Sequence, residues 1–161
     1  MHPKTLPADQ ASYEALCEKL AALSLPLPQG HPSSPGMSQW SGKPYKLAAN
    51  FLRLDSVTAE FGDRDCTLVL QDERGDHKIR VGYDAWLNGT TSFRGYANEP
   101  ISAAGAWTSE NSFAVRLCYP HSFFCPVLRF RYGSADLEIE VEPNVSWELS
   151  PATLITGNAE P

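Results

Sequence analysis

Phe124-Cys125-Pro126-Val127-Leu128-Arg129-Phe130-Arg131-Tyr132 leads into the turn Gly133-Ser134, and Ala135-Asp136-Leu137-Glu138-Ile139-Glu140-Val141-Glu142-Pro143 follows it. Apolar residues alternate with polar ones on both sides of the turn, the period of a strand with one buried face. In the return strand Leu137, Ile139 and Val141 point one way and Glu138, Glu140 and Glu142 the other. A tight turn would set Arg129 opposite Glu138 and Arg131 opposite Asp136. Such exposed cross-strand pairs contribute only about 0.2–1 kcal/mol each, so they report the register more than they hold it.

The pattern extends toward the N-terminus. Pairing Cys118 with Cys125 across a turn at His121-Ser122 puts Phe113 opposite Phe130, Val115 opposite Leu128 and Tyr119 opposite Phe124. Ser109-Glu110-Asn111 turns that strand back onto Ala103–Thr108. Further upstream, Leu54–Phe61, Cys66–Asp72 and His77–Tyr83 form a second meander. Pairing Phe61 with Cys66 sets Ala59 against Leu68 and Val57 against Leu70. Pairing Asp72 with His77 sets Leu70 against Ile79 and Leu68 against Val81. Both registers gather the apolar residues on one face, which is what fixes a register.

These runs predict a mainly β, antiparallel up-and-down meander of about eight strands. It closes into a lipocalin-like barrel or remains a curled half-barrel. Asp84 to Pro100 reads as a long connection or an imperfectly closed wall, and Pro126, which donates no ladder bond, marks a bulge or edge. Either place would leave an open sheet edge through which copies could associate.

Ahead of the sheet, Asp9 caps a helix on which Tyr13, Leu16, Leu20 and Leu23 recur at helical spacing, and Pro26 and Pro28 stop it. A stripe on so short a helix needs a docking partner. Gln29 to Gly36 is rich in Gly, Pro and Ser and reads as a connector. The expected organisation is residues 1–36 as helix and linker, 37–157 as the β domain and 158–161 as a tail.

The chain has 161 residues, enough for one domain with its own core. Its formal charge of −6 opposes phosphate backbones, and no basic run offsets it, so neither nucleic acid nor a membrane is the expected partner. Met1-His2-Pro3-Lys4 opens no hydrophobic signal core. The expected location is cytoplasmic, or secreted if a parent protein carries a signal upstream. The cysteines Cys17, Cys66, Cys118 and Cys125 are too scattered for a disulfide framework. Cys118 and Cys125, opposed across one hairpin, form the candidate disulfide.

Ser41-Gly42-Lys43-Pro44-Tyr45, Val81-Gly82 with Trp86, Gly105-Ala106-Trp107-Thr108, Leu117-Cys118 with Phe124-Cys125, and Glu140 to Ser146 occur in that order. With a Leu6 to Asp9 lead, the set resembles the C-terminal β domain of bacterial serine hydrolases related to class C β-lactamases and penicillin-binding proteins. The resemblance implies an accessory domain without catalysis of its own, partnered in cis or in trans by a serine hydrolase domain. The catalytic Ser-x-x-Lys is missing: three residues before Lys4, Lys19, Lys43, Lys46 and Lys78 stand Met1, Leu16, Trp40, Lys43 and Gly75. Tyr96-Ala97-Asn98 matches a Tyr-x-Asn element by coincidence.

No residue is expected to be catalytic. Cys118, His121 and Cys125 match no metal-ligand spacing, and the Glu138, Glu140 and Glu142 row is a solvated strand face, so no metal or cofactor is expected. His77 opposite Asp72 reads as a polar pair with no nucleophile to activate. Trp40, Tyr45, Trp107, Phe113, Tyr119 and Phe130 are the candidate ligand-binding residues, facing into the barrel beside the small Ala103 and Gly105. A barrel of this size either fills with such side chains or holds one small ligand. The alternative to the accessory domain is therefore a lipocalin-like carrier of a small hydrophobic molecule.

Overall fold

The computed structural model describes residues 9–145 and 153–160. Ten strands carry the alternation: β1 Tyr45–Leu47, β2 Ser56–Phe61, β3 Asp65–Asp72, β4 Gly75–Gly82, β5 Leu87–Thr91, β6 Glu99–Ser109, β7 Ser112–Cys118, β8 Val127–Tyr132, β9 Asp136–Glu142 and β10 Thr153–Ala159. They form one sheet in the order β4-β3-β2-β1-β10-β9-β8-β7-β6-β5. A parallel contact of Gly82 with Ala104 joins β4 to β6 and closes the sheet on itself. β5 pairs with the first half of β6 and flanks the seam, so nine of the ten strands make the ring. The Asp84–Pro100 stretch thus contains a strand, with Asn88-Gly89 inside it, as well as the imperfect wall.

Two hairpins take the expected register, Phe61 opposite Cys66 and Phe113 opposite Phe130. Two others differ from expectation by two residues. At Glu73-Arg74 the chain turns in two residues, with Gly75 at φ +117° and the Arg74 N–H donating to Asp72 Oδ1 at 2.8 Å. Asp72 therefore faces Gly75, and Leu70 faces His77. At the other turn the Gly133 N–H bonds the Asp136 carbonyl, which moves Arg129 opposite Glu140 and Arg131 opposite Glu138. A slip of two leaves every side chain on its original face. The apolar face survives both corrections.

The fold has more strands than the alternation suggested, because β10 lies beyond the last run that the alternation marks and extends into the expected tail. Residues 158 and 159 continue β10, with Asn158 opposite Lys46 and Ala159 opposite Tyr45. Trp40 belongs to a single-turn helix, α2 (Met37–Trp40), ahead of the sheet. The first helix, α1 (Gln10–Ala22), is capped as expected, with Asp9 Oδ1 accepting from the Ser12 N–H. It buries no residue, and Tyr13, Leu16, Leu20 and Leu23 are all more than half exposed. The expected docking is absent among the described residues.

The connector between the helices is fastened to the barrel wall. Trp86 Nε1 donates to the Leu25 carbonyl at 3.1 Å and Arg116 to the Pro26 carbonyl at 2.9 Å. His31 and Trp107 exchange two backbone bonds of 2.9 and 2.8 Å. Ala104, Ala106 and Ala114 face outward on the wall yet are buried. A Cβ at Gly30 would stand 2.3 Å from the Trp107 carbonyl oxygen and 3.0 Å from the Ala106 side chain, so the strap lies flush only as glycine. No helix among the described residues is long and apolar enough to cross a membrane.

Inside the ring, Gly105 lies where the walls come close. A Cβ there would approach Phe113 Cζ at 2.7 Å, Val81 Cγ1 at 2.9 Å and the Ala114 carbonyl at 3.0 Å. Gly105→Ala is expected to destabilise the barrel by about 1–3 kcal/mol through overpacking. Urea unfolding measures the change, and an unaltered midpoint would show that the wall yields at no cost.

Candidate functional site

The barrel has two unlike ends. At one, where β2 ends and β3 begins, six aromatic rings meet inside the ring: Trp40, Phe61, Trp107, Phe113, Tyr45 and Tyr132. Trp40 stacks on Trp107 and Tyr132 with centroids at 5.7 and 5.1 Å. Phe61 lies 4.9 Å from Trp107 and 5.1 Å from Phe113, and Tyr45 lies 5.8 Å from Tyr132. Each strand supplies its inward residue by simple alternation, whereas Trp40 arrives from α2 and plugs the end. Gly36 makes room for it, since a Cβ there would sit 2.4 Å from the indole.

This cluster contains a mismatch. Trp40 Nε1, Tyr45 Oη and Trp107 Nε1 are buried and have no hydrogen-bond partner among the described residues. A buried donor without an acceptor costs about 1–3 kcal/mol. Tyr83, at the same end, differs in donating to the Gly62 carbonyl at 3.1 Å. Burial raises the Tyr45 phenol, with Asp136 adding to the effect, and burial raises the Tyr132 phenol well above its ordinary value. Burial also pushes the Cys66 thiol up, reinforced by Asp65 and Glu60. The protonated, donating forms are the stable ones here.

The opposite end is polar and its charged groups pair with one another, although Glu99 Oε2 is buried without a hydrogen-bond partner among the described residues and His77 Nε2 meets Asp72 at ion-pair distance only. Asp72 and His77, both buried, face inward there, with His77 Nε2 3.0 Å from Asp72 Oδ1. Arg74 Nε donates to Asp72 Oδ2 at 3.0 Å, and its Nη2 reaches the Phe93 carbonyl at 2.5 Å. Burial raises the Asp72 carboxyl, but the bonds from Arg74 and His77 outweigh it and bring it down to about 2. Nearby, Arg94 pairs with Glu99 at 3.1 Å and stacks on Tyr119 and Phe124 at 4.7 and 4.4 Å.

A groove of about 530 Å³ lies outside the barrel, lined by Leu25, Trp86, Tyr119, Phe123 and Phe124. Cys118 and Cys125, joined by a disulfide, form part of it. In a reducing cytosol the same pair would stand as two adjacent thiols. The polar groups of the groove bond the protein itself: Asn144 donates to the Phe123 carbonyl and accepts from the Cys125 N–H.

All six side chains expected to face the interior, Trp40, Tyr45, Trp107, Phe113, Tyr119 and Phe130, belong to the barrel core. Tyr119 lies at its far end, beside Arg94. Phe61 and Tyr132 belong to the aromatic cluster and were not singled out from the sequence. Both occupy inward positions of hairpins already aligned, so parity alone would have found them. Nothing local announces the three unpartnered donors.

No family model matches the chain and no curated protein matches it in sequence. Among solved structures it is similar to a Schistosoma mansoni fatty acid binding protein in complex with arachidonic acid. That match has a TM-score of 0.60 and 12% identity over 78% of this chain and 99% of the other. It is also similar to the fatty-acid-binding protein of Manduca sexta, with a TM-score of 0.53 and 10% identity over 76% of this chain and 99% of the other. At these identities the likeness is one of fold.

The comparisons correct the resemblance to a β-lactamase-related hydrolase domain. The similar structures are fatty acid binding proteins matched over almost their whole length, with no catalytic domain beside the barrel, so the hydrolase partner is withdrawn as well. The motif residues have a simpler cause. Gly82 sits at the closure, Gly105 under Phe113, and Trp107 and Cys118 on inner and outer walls, positions that a small barrel constrains whatever it is attached to. Leu6 to Ala8 of the lead and Ser146 of the last motif lie outside the described residues.

The Asp72 network makes stability depend on acid. A carboxyl whose folded value lies below its unfolded value near about 3.9 stabilises above that pH and loses the contribution as pH falls toward about 2. Asp72→Asn is expected to lower stability at neutral pH and to flatten the fall below about pH 4. Urea midpoints measured from neutral to acid pH check this, and parallel curves for both proteins would refute it.

Proposed function

We propose that this barrel binds a small hydrophobic molecule at its aromatic end. The observation that carries the reading is the set of buried, unpartnered donors inside an aromatic cluster that closes a barrel. Apolar walls with a few convergent polar groups are the usual make-up of a small-molecule site. The fold supports the reading too, since a similar structure is that of a fatty acid binding protein in complex with arachidonic acid.

The interior is filled by the protein's own side chains, each almost wholly buried. One of them is held differently from the rest. Trp40 stands on a four-residue helix outside the sheet, whose N-cap makes no side-chain bond. Its indole occupies the place a ligand would take, against Trp107 and Tyr132. Binding in this reading exchanges the Trp40 indole for the ligand, and the strand residues Tyr45, Trp107, Phe113 and Phe130 form the walls. The outer groove is the weaker site, because its polar groups are already satisfied.

Titration with an apolar fluorescent probe is expected to saturate at one molecule per chain and to quench tryptophan emission. Trp40→Ala is expected to strengthen binding by about tenfold, since the indole no longer competes. Trp86→Ala, in the groove, is expected to leave it unchanged. Absence of saturable binding to wild type and Trp40→Ala alike would end the reading, and loss confined to Trp86→Ala would move the site to the groove.

A further inference from the structure

The donors at the aromatic end also bear on the kind of molecule that fits there. Trp107 Nε1 and Tyr45 Oη belong to strand residues that stay in the wall when Trp40 leaves. Their rings lean on the same Tyr132 ring, with centroids at 6.1 and 5.8 Å. Both groups offer a hydrogen and lack an acceptor within the protein. A pure hydrocarbon would leave them unsatisfied. A ligand oxygen would not.

The charge on that oxygen is limited by what surrounds it. Among the described residues no lysine or arginine is buried; the buried polar residues are Asp72, His77 and Thr91. The inward-facing ionisable pair, Asp72 and His77, sits at the other end of the strands and is occupied with itself and Arg74. Cys66 and Asp72 stand six residue steps apart along β3, a span of roughly 20 Å. Around the aromatic end the near charges are mostly acidic. Asp136 acts on Tyr45, Asp65 and Glu60 act on Cys66, and Asp63 acts on Tyr83. Arg80 is bound to Asp65, and Lys43 rests 5.9 Å from the Tyr45 ring centroid. A carboxylate entering here would be stripped of water among neutral donors, facing an acidic rim. Burying an ion without a paired counter-charge is heavily unfavourable.

We infer that the site selects an uncharged apolar molecule carrying a hydrogen-bond acceptor, such as a ketone or ester, over the corresponding carboxylic acid. This rests on the ligand-binding reading above and specifies its chemistry. The carbonyl oxygen accepts from Trp107 Nε1 or Tyr45 Oη, and the apolar body takes the place of the Trp40 indole.

Three probes of one size separate the possibilities: 2-acetylnaphthalene, 2-naphthoic acid and 2-ethylnaphthalene, titrated at neutral pH by calorimetry against the full chain. The ketone is expected to bind about tenfold or more tighter than the ionised acid, and about fivefold tighter than the hydrocarbon. Tyr45→Phe keeps the ring and removes the phenol donor, and Trp107→Phe removes the indole donor with part of the ring; the ketone-to-hydrocarbon affinity ratio is expected to fall by about fivefold in the variant that loses the donor the oxygen uses. Tyr45→Phe is also expected to raise the urea midpoint of the free protein, because it deletes a buried donor that has no partner, whereas the smaller ring of Trp107→Phe leaves a cavity and lowers it. A Tyr45 hydroxyl with a purely structural role would shift the Tyr45→Phe midpoint downward instead.

Acid binding as tightly as the ketone would overturn the inference and leave the ligand-binding reading standing. An unchanged affinity ratio in both phenylalanine variants would overturn it as well. If none of the three probes binds wild type or Trp40→Ala, the ligand-binding reading itself falls.

Discussion

The barrel depends on one crossing. β6 is eleven residues long; its first half pairs with β5, and at Ala104 it meets Gly82 at the end of β4. Without that contact the sheet is an open ribbon whose inner face meets water along one seam. The crossing tolerates no side chain on the β4 side: a Cβ at Gly82 would stand 2.2 Å from the Ala85 carbonyl and 3.0 Å from Leu87. Closure also confines the free edges of the sheet to the seam between β4 and β5. The inward positions of nine strands then form one continuous core.

Closure has a second consequence, on the outside. Because β6 and β7 carry alanines on their outer face, the strap between the two helices lies flat on them, tied by Trp86, Arg116 and the His31–Trp107 exchange. Trp107 thereby joins both surfaces of the wall. Its backbone holds the strap outside while its ring packs against Phe61 and Phe113 inside. The strap leads directly into α2, so the element that plugs the barrel is anchored at its start and free of side-chain capping at its N-terminus.

The two ends show how differently the same fold treats buried polarity. At the Asp72 end the buried charges are paired, Asp72 with Arg74 and His77, and the network ties the β3–β4 turn to the loop after β5 through Arg74. At the Trp40 end the polar atoms are single donors on aromatic rings, left without acceptors. Satisfied networks stabilise and specify a core, whereas unsatisfied donors destabilise it. A protein that keeps them gives up stability at the place where the ligand-binding reading puts the ligand.

By itself the sequence determined which face of each strand is oily, because side chains alternate with a period of two and each run shows it locally. It settled the Phe61–Cys66 and Phe113–Phe130 pairings through their turns, and it named Trp40, Tyr45, Trp107, Phe113, Tyr119 and Phe130 as interior residues. Where Gly75 tightened one turn and Gly133 to Asp136 widened another, the register moved by two and the faces stayed put. Only the tertiary structure decided that β4 meets β6, that β10 lies between β1 and β9, that Trp40 fills one end while Tyr119 lies at the other, and that three donors there go unpaired. Those outcomes join residues far apart in the chain, and alternation along a strand carries no information about which distant strand, or which distant ring, will stand beside it.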